Sequence, residues 1–418
     1  MAAGIPVRVS YFKRLVFCDS TTPVRILHVI PSLSPHHGGP SVALPLMVRS
    51  LVRLGVSVDV ATTDDAGPGG RLDVPLAQRI ERDGYGLYYF RKQTEFYKVS
   101  LPFRSWARRH ARDYDLLHIH ALFSHTSIAA ARAARRAGVP YVIRPLGVLN
   151  RWGMENRRRW LKSLSFRFIE QPVLRHAATI HYTSRAEQLE AEACGVRASA
   201  TVLPLGIDVL PYASEISPER FYARFPQAKD RDIVLFLSRV DAKKGVDLLL
   251  AAFARLHLKF PKCLLVIAGS GEEEYVQSLR QQAEMLGIDG QVVWAGFLGG
   301  QDKLAAFAAA SVFTLPSHSE NFGIALVEAL AAGLPCVTTP GVAISEDIAE
   351  CDAGVVVPCE ISALASGLER VIADVSMRQC LGANARRLAT DRFSMETMGS
   401  ALHALYQHLL DPSVDRET

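Results

Sequence analysis

The chain has 418 residues, 49% of them hydrophobic and 21% charged, so two domains with separate cores are the starting expectation. This composition excludes intrinsic disorder and collagen-like repetition. The longest nearly uncharged apolar run (residues 304–315) is too short to span a bilayer. The seven scattered cysteines predict reduced thiols in the cytosol. The net charge of +5 is unevenly distributed. Residues 91–185 form a basic block with 19 Lys and Arg and 5 Asp and Glu, whereas the rest of the chain has 28 Lys and Arg and 37 Asp and Glu.

After a loose extension over residues 1–22, short β-branched runs alternate with segments of helical period. Alternation of this kind is typical of a parallel sheet covered by helices on both faces. The predicted strands of this half are Val24–Ile30, Val56–Thr62, Leu116–His120, Tyr141–Ile143, Thr179–Thr183 and Thr201–Leu203. The predicted helices are Ser41–Leu54, Thr126–Ala137 and Arg157–His176.

A stretch rich in Pro and Gly after residue 203 predicts a linker, and the same alternation then begins again. The predicted strands of the second half are Ile233–Leu237, Leu264–Ala268, Gln291–Trp294, Val312–Leu315 and Pro335–Thr338. We therefore predict an α/β protein of two tandem Rossmann-like domains, 23–208 and 209–394, facing across a cleft at the carboxyl ends of their strands. We expect the last helix, 395–412, to cross back to the first domain.

Residues suited to anion binding follow two of the predicted strands. Gly38 and Gly39 precede the first helix, where free backbone N–H groups and the helix dipole favour an anion, although a plain turn is the simpler alternative. Arg239 follows the first strand of the second half and Lys244 stands where the next helix begins. Two cations at the cleft suit a diphosphate, with an exposed turn as the alternative.

The segment Ser317–Ala329 carries the most specific pattern. Its backbone amides near Phe322 and Gly323 are predicted to bind phosphate oxygens at the start of a helix. Glu320 and Glu328 are eight residues apart, which predicts that both carboxylates lie on about one face of this helix. Carboxylates on an otherwise apolar face need partners, and sugar hydroxyls are suitable ones.

Together, Arg239, Lys244-Gly245, Glu320-Asn321-Phe322-Gly323 and Glu328 resemble the E-x7-E constellation of the family-4 retaining glycosyltransferases of the GT-B fold, of the bacterial polysaccharide and lipid-glycan type. The Gly38-Gly39 loop, the His118-Ile119-His120 run and Ala353-Gly354 before a Val-rich segment match the same family in order. The resemblance extends from about Arg25 to Leu410.

The resemblance implies a role for each matching residue. Arg239 and Lys244 would hold the diphosphate of a nucleotide-sugar donor, Glu320 the hydroxyls of the transferred sugar, and Glu328 those of the ribose. Gly38, Gly39, Asn321, Phe322, Gly323 and Ile324 would complete the donor site. The family works without a metal or another cofactor and retains the anomeric configuration, so the same is expected here.

The part of the first domain that is expected to line the cleft matches the family at one position and differs from it at another. His118 and His120 are predicted to point to opposite faces of their strand. The resemblance implies that His120 contacts the sugar or acceptor and that His118 is structural. The alternative for each is a satisfied structural histidine. Many relatives have His before the glycine at 147, where this chain has Leu146. Arg144 would supply a positive charge instead.

Two further patterns are discounted. Asp113-Tyr114-Asp115 resembles a metal-binding DxD but precedes its strand rather than following it. Gly269-Ser270-Gly271 resembles a dinucleotide fingerprint, yet three glutamates open the following helix and would repel a pyrophosphate. Neither is expected to bind a metal or NAD.

The basic block suggests where the acceptor binds. Arg144, Arg157, Arg158 and Lys162 are candidate acceptor or membrane contacts. Apolar residues at 160, 161, 164 and 168, with cations between them, are typical of an interfacial helix on an anionic bilayer. We expect a cytosolic enzyme, peripheral on the inner face of the plasma membrane, that transfers a hexose to a glycan or lipid-linked acceptor. Alternatives are a packed helix with solvated arginines, a soluble enzyme with a small-molecule or sugar-phosphate acceptor, and a nucleic-acid-binding protein. Nucleic acid is not an expected partner, because the basic runs lack interleaved aromatic residues.

Overall fold

A computed structural model of the protein describes residues 23–34, 38–149, 164–214 and 216–411. Two sheets, each covered by helices, confirm the predicted α/β architecture. The first sheet is parallel except for one edge strand, while the second is parallel throughout.

The strands of the first sheet are β1 Arg25–Val29, β2 Ser57–Thr63, β3 Ile80–Arg82, β4 Tyr85–Phe90, β5 Leu116–His120, β6 Tyr141–Arg144, β7 Thr179–Tyr182 and β8 Ala200–Val202. Those of the second are β9 Asp232–Leu237, β10 Cys263–Ala268, β11 Val292–Gly296, β12 Val312–Leu315, β13 Cys336–Thr338 and β14 Gly354–Val356. The order of the first sheet is β3-β4-β2-β1-β5-β6-β7-β8, with β3 the antiparallel edge strand, and the order of the second is β11-β10-β9-β12-β13-β14. Most of these strands are buried along almost their whole length, as expected for sheets covered on both faces.

The helices of the first domain are α1 Gly39–Arg53, α2 Leu101–His110, α3 His125–Ala137, α4 Gln171–Arg175 and α5 Arg185–Ala193. The linker and the second domain carry α6 Leu210–Ala213, α7 Glu219–Arg224, α8 Val246–Lys259, α9 Glu273–Met285, α10 Gly300–Ala309, α11 Ile324–Ala331, α12 Ser345–Glu350, α13 Ile361–Ala373 and α14 Val375–Phe393, and the last helix is α15 Met395–Leu410. None of the helices within the described ranges is long and apolar enough to cross a membrane.

The two faces of the first sheet pack against different helices. Leu27 and Val29 belong to a core with α2 and α3, whereas Ile26 and Ile30 belong to a core with α1. This second core also includes Tyr406 of α15 and continues into the second domain. The C-terminal helix therefore covers the sheet of the first domain.

Glycines allow the chain to make this return. The backbone at Ile207 pairs with Ser394, and a Cβ on Gly206 would lie 2.3 Å from the Ser394 carbonyl oxygen. Further along α15, a Cβ on Gly399 would lie 2.7 Å from Ser50 Cβ on α1. Arg53 and Glu396 form an exposed ion pair (3.0 Å) at the same contact.

Some elements were not predicted. The hairpin of β3 and β4 turns at Asp83-Gly84, both with positive φ, and helices α2 and α5 were also missed. The predicted helix over 157–176 is described only from residue 164, where a π-helical turn, Phe166–Glu170, leads into α4. The rest of that prediction, with Arg157, Arg158 and Lys162, lies outside the described residues.

Candidate active site between the two domains

The donor-side cations stand at the carboxyl end of β9. Arg239 is exposed two residues after the strand, and Lys244, 8% exposed, ends a short 3-10 turn before α8. Gly245 has φ 65°, and a Cβ there would lie 2.3 Å from the Pro316 carbonyl oxygen, so only glycine allows this turn to pack against the loop after β12. The close packing brings the Lys244 ammonium to the loop that carries Glu320.

Lys244 Nζ donates to Glu320 Oε2 in a partly buried ion pair. Burial lowers the pKa of Lys244 to about 8, and the neighbouring Arg239 guanidinium acts in the same direction. Two cations and one carboxylate therefore meet at one point, and the lysine loses its proton more easily than an exposed one.

Glu320 is held in place through its backbone. Its N–H donates to Gly341 (2.8 Å), and its carbonyl accepts from Ala343 (3.0 Å). Helix α11 begins only at Ile324, after Gly323 in the left-handed region (φ 85°). The prediction that Glu320 and Glu328 share a helix face is therefore wrong, because Glu320 precedes the helix and only Glu328 lies on it.

Glu328 is 8% exposed and has partners that the sequence pattern did not indicate. Lys303 Nζ of α10 donates to its Oε1 (2.6 Å), and the hydroxyl of Tyr212, in the linker helix α6, also hydrogen bonds to its side chain. Neither Lys303 nor Tyr212 belongs to a motif, so no signal in the sequence pointed to them. The two partners fix the orientation of the Glu328 carboxylate.

The first domain contributes its glycine loop to the opposite wall. Gly38 has φ 69°, a conformation that favours glycine, and Gly39 begins α1. A Cβ on Gly39 would lie 3.5 Å from Ile324 Cδ1, so the amino ends of α1 and α11 meet across the cleft. The first amides of a helix have no intrahelical acceptor and can bind an anion. At α1, however, Pro40 has no N–H and the Ser41 N–H donates to the Gly38 carbonyl (3.0 Å), so this helix start offers an anion fewer amides than usual.

Asn321 links the two domains. Its Nδ2 donates to Thr183 Oγ1 (3.2 Å), and its side chain lies where a Cβ of Gly147 (φ 69°) would be. Leu146, the residue in place of the family's histidine, also has positive φ (63°), which strains a leucine. The loop after β6 is thus shaped by its contact with the donor-side loop.

The histidines of β5 do not point to opposite faces. Residues two apart on a strand share a face, and the rings of His118 and His120 stack with centroids 4.3 Å apart, so that prediction is wrong. Both belong to a buried network on one sheet face: His28 Nδ1 and His120 Nε2 (3.0 Å), His118 Nδ1 and Tyr406 Oη (2.7 Å), and His181 Nδ1 and His118 Nε2 (3.3 Å).

Burial keeps this network neutral. It lowers the pKa of His28 and of His181 to about 3 and those of His118 and His120 well below 6.5, and the nearby Arg144 cation adds to the effect. Three of the rings, those of His28, His118 and His120, have nitrogens within 4.8 Å of one another, close enough for a metal ion. Because these nitrogens already bond to one another beside a cation, the arrangement favours a hydrogen-bonded network over a metal site.

The two discounted patterns have local roles. Asp115 Oδ2 accepts from the Arg25 backbone N–H (2.8 Å) and Asp113 Oδ2 bonds His110 Nδ1 (2.8 Å), at the amino end of β5 and away from the cleft. A Cβ on Gly269 would lie 1.8 Å from the Ser238 carbonyl oxygen, so this glycine allows two strand ends to pack.

The comparisons with known proteins decide the family. Residues 38–206 match the family described as glycosyl transferase 4-like domain, and residues 219–388 match glycosyl transferases group 1. The chain belongs to the group 1, family-4-type glycosyltransferases. Both the resemblance and the GT-B fold are confirmed.

Relatives of this glycosyltransferase differ in their acceptors. It is 26% identical to the D-inositol 3-phosphate glycosyltransferase of Corynebacterium urealyticum over 395 residues, 89% of this chain and 91% of the relative. It is 28% identical to a GDP-mannose-dependent alpha-(1-6)-phosphatidylinositol monomannoside mannosyltransferase of Mycolicibacterium smegmatis over 223 residues, 51% of this chain and 58% of the relative. Its fold is similar to that of Anabaena Alr3699/HepE in complex with UDP and glucose (TM-score 0.73, 21% identity, covering 92% and 99% of the two chains).

Proposed function

We propose that this glycosyltransferase moves a hexose from a nucleotide-diphosphate sugar to a glycan or lipid-linked acceptor, with retention and without a metal or another cofactor. The observation that carries the proposal is the Lys244–Glu320 ion pair beside Arg239, at the carboxyl end of β9 and before α11. A cation that can exchange its carboxylate for a diphosphate, next to a carboxylate that can accept from sugar hydroxyls, suits this donor class.

Donor binding would exchange partners within this pair. The diphosphate takes the Lys244 ammonium and the exposed Arg239 guanidinium, while the amides at the start of α11 bind its remaining oxygens. Glu320, freed from Lys244, accepts hydrogen bonds from hydroxyls of the transferred sugar. Glu328, held by Lys303, accepts from the ribose hydroxyls.

Transfer with retention forms and breaks bonds on the same face of the sugar. The acceptor oxygen bonds to the anomeric carbon as the diphosphate leaves with the electron pair, and a phosphate oxygen takes the acceptor proton. Charge grows on the leaving diphosphate, where Arg239 and Lys244 neutralise it. These two cations supply the electrostatic stabilisation that a divalent metal provides in other transferases.

An exposed surface of the first domain supports a lipid-linked acceptor at an anionic membrane. The Tyr97 hydroxyl bonds Ser165 Oγ, joining a turn that exposes Phe96 (68%) to the segment that exposes Phe168 (67%). The exposed Arg167 guanidinium lies 5.9 Å from the centre of the Phe168 ring. Further exposed arginines lie on α2 or just after it, namely Arg104, Arg108, Arg109 and Arg112. Aromatic side chains among arginines suit the interface of an anionic bilayer. The phosphatidylinositol-linked acceptor of the mycobacterial relative points the same way.

A panel of nucleotide sugars tests the donor assignment. Purified protein is assayed for donor hydrolysis and thermal shift, and the productive donor is then compared in the wild type, Lys244→Ala and Lys262→Ala. Lys262 is an exposed lysine of the same domain and serves as the matched control. Turnover should fall about 100-fold or more in Lys244→Ala only. Equal turnover in all three proteins contradicts the site assignment.

Flotation with vesicles tests the acceptor assignment separately. The protein should float with anionic vesicles at low salt and be released at high salt, because surface charges are screened. The inositol-phosphate glycosyltransferase that matches nearly the whole chain favours the second candidate, a soluble acceptor. Absence of flotation at low salt, together with transfer to a soluble sugar or sugar phosphate, would establish that candidate instead.

A further inference from the structure

Arg144, at the end of β6, is a buried cation that forms no ion pair with any residue that the structure describes. It is 2% exposed, and its Nε and Nη1 have no hydrogen-bond partner within the described part of the chain. Burial lowers its pKa to about 10, so it remains charged at neutral pH. Buried charges in proteins are normally paired, which makes this guanidinium an exception that needs a ligand.

Glu187, whose negative charge acts on Arg144, already has other hydrogen-bond partners. Glu187 Oε1 accepts from the Gly147 backbone N–H (2.7 Å), and its Oε2 accepts from the backbone N–H and hydroxyl of Thr183 (2.7 and 2.8 Å). No ion pair between Glu187 and Arg144 is present among the residues that the structure describes. Glu187 therefore shapes the loop after β6, and in the described ranges the positive charge of Arg144 has no direct partner.

A second unpartnered atom lies beside the guanidinium. His120 pairs with Arg144 across strands β5 and β6, and its Nδ1 is buried with no partner in the described ranges. His120 Nε2 is engaged by His28 Nδ1 (3.0 Å). When His28 donates in that contact, neutral His120 carries its proton on Nδ1, which then offers a hydrogen bond next to the guanidinium.

His120 and Arg144 are the last residues of the neighbouring strands β5 and β6, and the loop that follows β6 contacts the donor-side loop. Gly147, three residues after Arg144, packs against Asn321, and Asn321 adjoins Glu320. A ligand group at Arg144 and His120 would thus belong to a sugar on the first-domain side of the cleft. A planar guanidinium binds a carboxylate or phosphate through two hydrogen bonds, from Nε with Nη2 or from Nη1 with Nη2. An anionic group would therefore use one of the two unpartnered nitrogens together with Nη2, which also has no hydrogen-bond partner among the described residues.

We propose that Arg144 and His120 form a subsite for a carboxylate or phosphate substituent on a sugar substrate. The inference rests on the proposed glycosyltransferase function. The anionic substituent belongs either to the transferred sugar, as in a uronosyl donor, or to the acceptor, as in a uronic acid or a sugar phosphate. The two sources share one chemistry and are separated by experiment.

Calorimetric titration separates them. In the acceptor arm, a saturating nucleoside diphosphate first fills the site at Arg239 and Lys244, and glucuronate, glucose 6-phosphate and methyl glucoside are then titrated. In the donor arm, the nucleotide esters of glucuronate and glucose are compared. Wild type, Arg144→Met and Arg144→Lys are measured with Arg136→Met, an exposed arginine of α3, as control.

The anionic sugar of one arm should bind about 30-fold or more weakly to Arg144→Met, while neutral sugars and the Arg136→Met control are unaffected. Arg144→Lys, which keeps the charge but loses the two-pronged geometry, should fall between. The arm that discriminates identifies the source. Equal binding of every anionic sugar to the wild type, Arg144→Met and Arg136→Met in both arms overturns the proposal.

Melting temperature without ligand provides a second readout. Arg144→Met should melt at or above the temperature of the wild type, because no ion pair is lost and an unpaired buried charge is removed. A clearly lower melting temperature in both Arg144 variants means that the cation has a structural partner and overturns the proposal. Failure of the wild type to bind any nucleoside diphosphate would instead contradict the proposed function, so the two failures are distinguishable.

Discussion

At the scale of single residues, the proposed mechanism requires the Glu320 carboxylate to leave Lys244 and accept hydrogen bonds from the sugar when the donor binds. Glu320→Gln keeps the shape of the side chain and removes its charge. We expect this variant to bind nucleoside diphosphate as well as the wild type does, or better, because Lys244 loses a competing partner. Transfer should fall about 100-fold or more, since the sugar hydroxyls lose a charged acceptor.

Two measurements check this separation: calorimetry with the nucleoside diphosphate alone, and turnover of the nucleotide sugar. Glu284→Gln, on an exposed position of α9, is the control. If Glu320→Gln loses nucleotide affinity by the same factor as it loses turnover, the carboxylate acts on the diphosphate region rather than on the sugar.

The pKa of Lys244, lowered to about 8 by burial, makes a pH prediction. The diphosphate needs the protonated lysine, so kcat/KM should fall as pH rises through about 8 in the free enzyme. Lys244→Arg keeps its charge at any working pH, and the alkaline limb should disappear. A wild-type profile that stays flat to pH 10 would contradict the assignment, as would an alkaline limb unchanged by the substitution.

Residues with a motif were found from the sequence, and residues without one were not. Arg239 and Lys244 follow β9, and Glu320 and Glu328 lie just before and on α11, because strand ends and helix starts fix their places. Their roles in donor binding stay a prediction. Lys303, which holds Glu328, lies 25 residues away in sequence and has no pattern of its own. Tertiary packing alone brings it there, and no local signal encodes such a contact.

At the scale of elements, the row of buried histidines on the first sheet predicts acid lability. Their pKa values are depressed in the folded protein, so stability is present above pH 6.5 and is lost as pH falls, when the unfolded chain takes up the protons. Each histidine that stays neutral in the folded protein at pH 5 lowers the free energy of unfolding by about 2 kcal/mol relative to pH 7. Glu170, whose pKa burial raises to about 7, acts in the opposite direction.

Urea unfolding at pH 7 and pH 5 measures this effect. We expect the free energy of unfolding to fall by several kcal/mol, about 2 for each neutral histidine less the opposing carboxyl. The slope against pH gives the number of protons taken up on unfolding, which should exceed two near pH 5. A flat profile between pH 7 and pH 5 would show that the rings are protonated in the folded state.

The sheet elements also show what periodicity reveals. Long buried strands such as β9 and β10 were predicted because continuous apolar runs mark a parallel sheet. The short β3 and its partner β4 were missed, although Asp83-Gly84 is a typical two-residue hairpin turn. His118 and His120 were wrongly assigned to opposite faces. The two-residue period of a strand puts residues two apart on the same face, so the sequence did contain the correct signal.

At the scale of the whole molecule, the return of the C-terminal helix to the first domain is a packing constraint. Gly399→Ala would place a Cβ 2.7 Å from Ser50 Cβ of α1. We expect a loss of about 1–3 kcal/mol in the free energy of unfolding, the usual effect of overpacking.

Gly290→Ala is the control, because within the described residues its Cβ meets nothing within 4 Å and its φ is not left-handed. That substitution should change the free energy of unfolding by no more than about 0.5 kcal/mol. Denaturant unfolding measures both variants. Equal stability of the two would mean that α15 does not pack closely on α1 in solution.

The charge asymmetry of the chain also has a meaning at this scale. The basic block of residues 91–185 falls within the first domain, while the proposed donor site lies in the second domain, which has a cationic turn and a helix start of its own. Two anionic ligands, one on each side of the cleft, fit this distribution better than one does.

The central claim is that the second domain binds the diphosphate of a nucleoside diphosphate through Lys244 and Arg239. Calorimetric titration of UDP and GDP into the wild type, Lys244→Met and Lys262→Met at pH 7 tests it most directly. The account predicts binding of at least one of the two nucleotides, weakened about tenfold or more in Lys244→Met and unchanged in Lys262→Met. Equal affinity in all three proteins would contradict it.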